Sequence, residues 1–402
     1  MSDERWNDDI AYAFSTHRLW LRIFGLWPFG KFTIFMRMRH IFIMFINAIV
    51  IPFVIMDFIW TKTNTGVNLE SILYLVGSIM GSVKFICIAV SRKRLHANLN
   101  AAMDDWLLAK NDKDTWKIMR KYAFRSRILT FSILYAGLGC FFVYIFGIVF
   151  INLQQIFFMD PLEANSTTIN WMFLIPSGPL SSLVTGTQYI IILALQTFQL
   201  GLMCVVQPVV DSFFFNVTMY LTSQLEIVKN KFKSFANEPD TEANHRKKFA
   251  KLINRHNELM ENYQNLEDSF HFFILFQLVV TTLMLAIIGL RINISLNENN
   301  YLEATKSLLV LNYLLLQSLV LTYGGDFLQG ESEGIFHALY MTSWFTFPVA
   351  LMKDMHFAMM RASVPFRLTG GKFFYVNRET MMYILRTAAS YISVLRIALL
   401  KS

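Results

Sequence analysis

Residues 378–402 read RETMMYILRTAASYISVLRIALLKS, and the reading of this stretch decides the fold. Crossing a bilayer takes roughly 20 mostly apolar residues, a length this segment meets, yet it holds Arg386, Arg396 and the small interruption Ala388-Ala389-Ser390. As a span it must find a use for those charges. The same window test, carried outward, picks out apolar runs near 41–60 (IFIMFINAIVIPFVIMDFIW), 71–91, 128–150, 182–207, 270–291 and 307–328, and 374–396 completes a set of seven. Lys84 lies inside the second run, where a lysine near a helix end can snorkel to the interface.

Composition points the same way. Of 402 residues, 54% are hydrophobic and 16% charged, with 38 phenylalanines, whereas soluble domains carry charge at about a quarter of positions. A net charge of +8 would raise nucleic acid as a partner for a soluble chain. Here the basic residues cluster between apolar runs, so topology accounts for them and no nucleic-acid partner is expected. Cys87, Cys140 and Cys204 all lie within apolar runs, which argues against a disulfide framework and against a metal site of Cys/His spacing. The acidic start MSDERWNDDIAYAFSTHRLW lacks the basic beginning and apolar core of a cleaved signal peptide, so the first span is expected to act as the targeting signal.

Lysine and arginine concentrate in cytoplasmic loops of membrane proteins. Residues 1–40 hold six, 92–127 ten, 208–269 eight and 329–373 four; the alternate segments hold only Lys62, Lys306 and Lys401. This split predicts a cytoplasmic N-terminus and, after seven crossings, an extracellular C-terminus. The sequons at Asn165 and Asn293 then fall in outer loops and are candidate glycosylation sites, while a third at Asn216 falls inside.

Domain organisation follows from these spans. Residues 1–40 form a cytoplasmic N-terminal segment, 41–328 carry spans one to six, and 374–397 form the seventh helix. Between spans four and five, Leu221, Leu225, Val228, Phe232 and Phe235 recur at helical spacing, and after a break at Pro239-Asp240 a returning stripe follows at Phe249, Leu252, His256, Leu259, Tyr263 and Leu266. Residues 208–269 are therefore long helices projecting into the cytosol, whose apolar faces pack on each other or also on neighbouring subunits. Residues 329–373 are apolar but interrupted by Pro348, Lys353, Asp354, His356 and Pro365. Each charge at mid-bilayer is costly, so this segment is expected to form packed cytoplasmic helices.

No phosphate loop, nucleophile elbow or zinc helix is present, and no enzymatic activity, cofactor or metal is expected. What the outer halves of the spans hold is aromatic and small-polar texture. Tyr74, Leu75 and Ser78 mark the second, Gly137, Cys140, Phe141 and Tyr144 the third, Tyr189, Ile192 and Gln196 the fourth, and Tyr313 and Gln317 the sixth. Such residues either line an apolar cavity with a few hydrogen-bonding groups or serve as ordinary helix contacts and interface aromatics.

In the C-terminal third, ALYMTSWF, MMRASVPFRLTGGKFF and ILRTAASYISVLRI (residues 338–397) resemble the signature of insect odorant receptors. The related gustatory receptors place Thr-Tyr and a downstream Gln-Phe here; this chain has Ser390-Tyr391 and Ile397-Ala398. It also lacks the long insertion between spans four and five of the shared co-receptor, and so resembles a ligand-tuning subunit. The resemblance implies an all-α, ligand-gated, non-selective cation channel in the plasma membrane of olfactory sensory dendrites. Four subunits, including the co-receptor, would surround one pore and hold a small volatile odorant in the outer half of spans two, three, four and six. The cytoplasmic helices would form the central anchor of the tetramer, and membrane lipid would surround its spans. By position in the motif, Val394 and Ala398 match the family's apolar gate, with Ile397 beside them. On a helix, Arg386, Ser390, Val394 and Ile397 share one face, which under this reading looks into the pore. A G-protein-coupled receptor is the alternative favoured by the count of seven, but it requires an external N-terminus.

Overall fold

A computed structural model of the chain describes residues 6–30, 33–60, 65–157, 171–175, 184–235 and 242–401. Helix α1 (Asp8–Phe24) begins where Asn7 accepts a hydrogen bond from the Ile10 amide at 2.8 Å and ends at Gly25, whose φ of 73° suits glycine. Helices α2 (Ile34–Ala48) and α3 (Val50–Trp60) form one apolar rod interrupted at Ile49, near Pro52, which has no amide to donate back to the Ala48 carbonyl. Then come α4 (Thr65–Val90), α5 (Arg92–Ala109), α6 (Lys113–Phe157), α7 (Gly186–Phe235), α8 (Glu242–Asn297) and α9 (Tyr301–Tyr340). A short helix α10 (Val349–Ala362), a two-residue hairpin of β1 (Thr369–Gly370) with β2 (Phe374–Tyr375), and α11 (Arg378–Lys401) complete the described chain.

Six helices among the described residues are long and apolar enough to cross a membrane: α2 with α3, α4, α6, α7, α8 and α9. Helix α11 occupies the expected seventh position but falls short of that measure, because Arg386, Arg396 and its small polar residues dilute the apolar run. Within 329–373 no separate helix meets that measure. Instead α9 runs on to Tyr340, and α10 and the hairpin pack alongside.

Helix α7 is the axis of the bundle. Every residue from Val206 to Leu225 is buried, so polar side chains in that stretch must find partners inside the protein. Thr218 and Thr222 donate to the carbonyls one turn back, at 2.9 and 2.8 Å. Asp211 is paired with Lys84 of α4 at 2.8 Å, the two side chains 0% and 1% exposed. The snorkelling read for Lys84 in the sequence is thereby corrected: Lys84 points inward to a carboxylate rather than outward to water.

The two amphipathic stripes beyond the bundle are covered by the chain itself. Phe232 and Phe235 lie 6.1 and 5.8 Å from the Phe249 ring, and Phe347 closes on Phe235 at 5.8 Å. Tyr263 stacks on Phe366 at 4.8 Å. On the same region Phe345, Val349, Phe357 and Met360 remain exposed.

Helix α1 is locked to α7 by a buried polar knot. Ser212 Oγ gives its proton to the Val209 carbonyl (3.2 Å), so it accepts from His17 Nε2 at 3.2 Å. The Asn216 amide donates to the Ala13 carbonyl (3.0 Å) and lies 3.5 Å from His17 Nδ1. Burial lowers the His17 pKa to about 4. Because an undocked histidine takes up a proton near 6.5 and the docked one resists until about 4, the docking of α1 weakens as pH falls between those values, by up to about 3 kcal/mol. Hydrogen exchange of the Asp8–Phe24 amides, corrected for intrinsic rates, should accelerate over that window, and His17→Gln should flatten the dependence.

Candidate functional site

Between α4, α6, α7 and α9 lies a cavity of about 130 Å³, closed on one side by Met284 of α8. Its walls are mostly apolar, the composition of a small-molecule site. Helix α4 presents Tyr74, Gly77 and Ser78, and α6 presents Gly137, Cys140 and Tyr144. From α7 come Gln199, Met203, Cys204 and Gln207, and from α9 Val310, Tyr313 and Leu314. Pro208 has no amide to bond the Cys204 carbonyl. Against that carbonyl α6 comes so close that a Cβ on Gly137 would stand 2.8 Å from its oxygen. Glycine at 137 thus sets the width of the cavity on this side.

The end of the cavity nearer the α7–α8 extension is polar. Tyr313 Oη accepts from Gln317 Nε2 (2.8 Å), and Gln317 Oε1 accepts from Gln277 Nε2 of α8 (3.1 Å). Gln207 Nε2 donates to the Gly77 carbonyl at 2.9 Å. One turn further along α7 sits Asp211 with its lysine. Beyond the opposite end lies a charge cluster: Arg291 reaches Glu70 (3.0 Å) and Glu303 (2.5 Å), and Lys306 reaches Glu303 (2.7 Å). Lys306 Nζ stands 5.8 Å from the Tyr144 ring centroid, and Tyr144 meets Tyr74 edge to face at 6.0 Å.

Of the twelve residues singled out in the sequence, Tyr74, Ser78, Gly137, Cys140, Tyr144 and Tyr313 come together on this cavity. The other six stand elsewhere. Leu75 faces the cluster of Val50, Val54 and Ile175, and Phe141 packs over Gly201. Tyr189 stacks on Trp171 at 4.4 Å and accepts from Asn152 at 2.7 Å. Gln196 accepts from the Ile175 amide at 3.3 Å, Ile192 is half-buried away from the lining, and Gln317 acts through Tyr313. On α7 the stripe is the expected one, since 189, 192 and 196 continue at helical spacing into 199, 203 and 207. Its upper part is taken by residues 171–175, which fold over it, so the cavity opens deeper. Gln199 and Gln207, polar residues in an apolar run, are the signal that marks the deeper part.

Helix α11 lies against α8. Ile384 and Ala388 are buried, and Ile392 fills the notch at Gly289, where a Cβ would collide with Ile392 Cδ1. Arg386, Ser390 and Val394 share the opposite, exposed face. The side chains of Ile397 and Ala398 lie outside the described residues, as does Asn165. Asn293 sits half-buried in the last turns of α8 and donates to the Gly289 carbonyl at 3.1 Å.

Apolar helices long enough to span, packed around a small-molecule-sized cavity, mark an all-helical protein of membrane type with an internal cavity. The family model described as 7tm Odorant receptor matches residues 64–389, and the chain belongs to the insect odorant receptor family. It is 22% identical to Odorant receptor 13a of Drosophila melanogaster over 287 residues (68% of this chain, 67% of that one). To Odorant receptor 47a of the same fly it is 29% identical over 126 residues, 30% of this chain and 32% of that one. The fold is that of the olfactory receptor OR5 from Machilis hrabei. Its complex with eugenol superposes with TM-score 0.79 at 13% identity over 98% of this chain and 100% of the other. A second OR5 structure from Machilis hrabei gives 0.77 at 12% identity, over 97% of this chain and 99% of the other. The family is one of receptors and channels rather than enzymes.

The Gly137 contact can be tested by substitution. Gly137→Val should force α6 off the Cys204 carbonyl at a cost of about 1–3 kcal/mol, read as a lower thermal midpoint in detergent. Gly139→Val, with nothing within 4 Å of its Cβ, should leave the midpoint close to that of the parent.

Proposed function

We propose that this chain is the ligand-tuning subunit of a ligand-gated, non-selective cation channel, assembled with the odorant co-receptor in the plasma membrane of olfactory sensory dendrites. The N-terminus is cytoplasmic, α11 is the seventh span, and the C-terminus with Asn165 and Asn293 faces outward, in keeping with the 28 to 3 division of Lys and Arg between alternate segments. The observation that carries the reading is the apolar chamber between α4, α6, α7 and α9. Membership in the odorant receptor family supports a volatile ligand for it.

In this reading the ligand sits among Tyr74, Tyr144, Tyr313 and Gln199, and gating follows from its higher affinity for the open state. Helix α8 is placed to carry the change, since it meets the cavity through Met284 and α11 through Gly289. The exposed face of Arg386, Ser390 and Val394 lines the conduction path, with Val394, Ile397 and Ala398 at an apolar constriction that closes by excluding water.

Expression in cells with and without the co-receptor tests the assignment. Volatile-evoked cation current should need both chains and persist in excised patches. Responses that disappear when G-protein signalling is blocked, with no conductance in excised patches, contradict it.

A further inference from the structure

Most polar groups around the cavity already have partners within the chain: Ser78 Oγ accepts from Gln199, Tyr313 from Gln317, and Gln207 donates to Gly77. Two do not. The Tyr74 hydroxyl and Gln199 Oε1 are buried and make no hydrogen bond in the protein. Both belong to residues lining the cavity. Tyr74 and Ser78 are four residues apart on one face of α4, and the Gln199 amide is held to Ser78 at 3.0 Å, so both groups belong to residues where α4 meets α7. A buried polar group without a partner is costly, and a ligand that supplies the partner recovers that cost.

We propose that this part of the lining is a hydroxyl-recognition subsite, and that the cavity takes a small neutral alcohol or phenol with a single-ring or similarly compact apolar body. The chemistry comes from these two buried, unpartnered groups. A phenolic hydroxyl donates and accepts, whereas an amide oxygen only accepts. A ligand hydroxyl can donate to Gln199 Oε1 while accepting from Tyr74; a carbonyl can serve Tyr74 alone, and a hydrocarbon serves neither. Should the amide stand the other way round, with Ser78 donating to its oxygen, the hydroxyl accepts from the nitrogen instead, so an alcohol suits either orientation. The size comes from the volume. About 130 Å³ is comparable with the engineered apolar cavity of about 150 Å³ that admits benzene. The glutamine network lies beyond Tyr313 and the charge cluster beyond Tyr144, so the apolar lining between them is short.

The proposal rests on the odorant-gated reading and is tested with three ligands of equal heavy-atom count: benzyl alcohol, benzaldehyde and ethylbenzene. In cells expressing the chain with its co-receptor, the half-maximal concentration for benzyl alcohol should be about tenfold below that for ethylbenzene, with benzaldehyde between, one hydrogen bond to a buried group setting the scale. Tyr74→Phe and Gln199→Met, measured singly with surface expression checked by an epitope tag, should each shrink the alcohol-to-hydrocarbon ratio severalfold. Equal sensitivity to the alcohol and the hydrocarbon overturns the subsite, as does a preference that survives both substitutions. A channel that opens to other volatiles but to none of these three overturns it as well. Absence of current to any volatile removes the functional reading beneath it, an outcome distinct from the others.

Discussion

A lysine and an aspartate held 2.8 Å apart, both essentially without solvent exposure, join α4 to α7 in the middle of the bundle. A lone charge at that depth is among the most expensive things a membrane protein can bury, so Lys84 and Asp211 constrain each other. Neither helix can rotate or slide by a turn without stranding its charge. The pair therefore fixes which faces of α4 and α7 meet, and with them the positions of Tyr74 and Ser78 opposite Gln199 and Gln207. Glutamines 207, 277 and 317 fill the space beside the ions and spread hydrogen bonds from α7 through α9 to α8.

The chamber is thus a short apolar gap between two polar plates. One is the glutamine and ion-pair floor; the other is the cluster of Arg291, Glu70, Glu303 and Lys306. The walls between them are apolar, made of Met, Leu, Val and Tyr side chains. Helix α8 touches every part of this arrangement: Gln277 in the floor, Met284 in the wall, Arg291 in the roof, and Gly289 under Ile392 of α11. Helix α8 thus connects the cavity wall to the last segment of the chain.

Much of this was legible in the sequence because it is written in local periodicity. The apolar runs place the spans, and the stripes from Leu221 to Phe235 and from Phe249 to Leu266 announce helices beyond them, now seen to cover each other through Phe232, Phe235 and Phe249. The face of α7 was readable too. Its depth was not, because residues 171–175 fold back over Tyr189 and Gln196, and nothing in a period of 3.6 foretells which turn of a stripe a loop will cover. Lys84 was read as a snorkelling lysine for a similar reason: its partner lies 127 residues away, beyond any spacing rule. The arginines of the closing segment looked out of place for a span, and the structure leaves Arg386 on the free face of α11 with Ser390 and Val394.

The most direct measurement is a double-mutant cycle on the ion pair, Lys84→Met, Asp211→Leu and both together, followed by thermal unfolding of the detergent-solubilised protein. If the pair fixes α4 against α7, each single substitution strands a buried charge and costs about 3–5 kcal/mol, while the double substitution lies closer to the parent than either single. Single substitutions that leave the midpoint unchanged, or a double whose loss is the sum of the two, would contradict the role assigned to the pair.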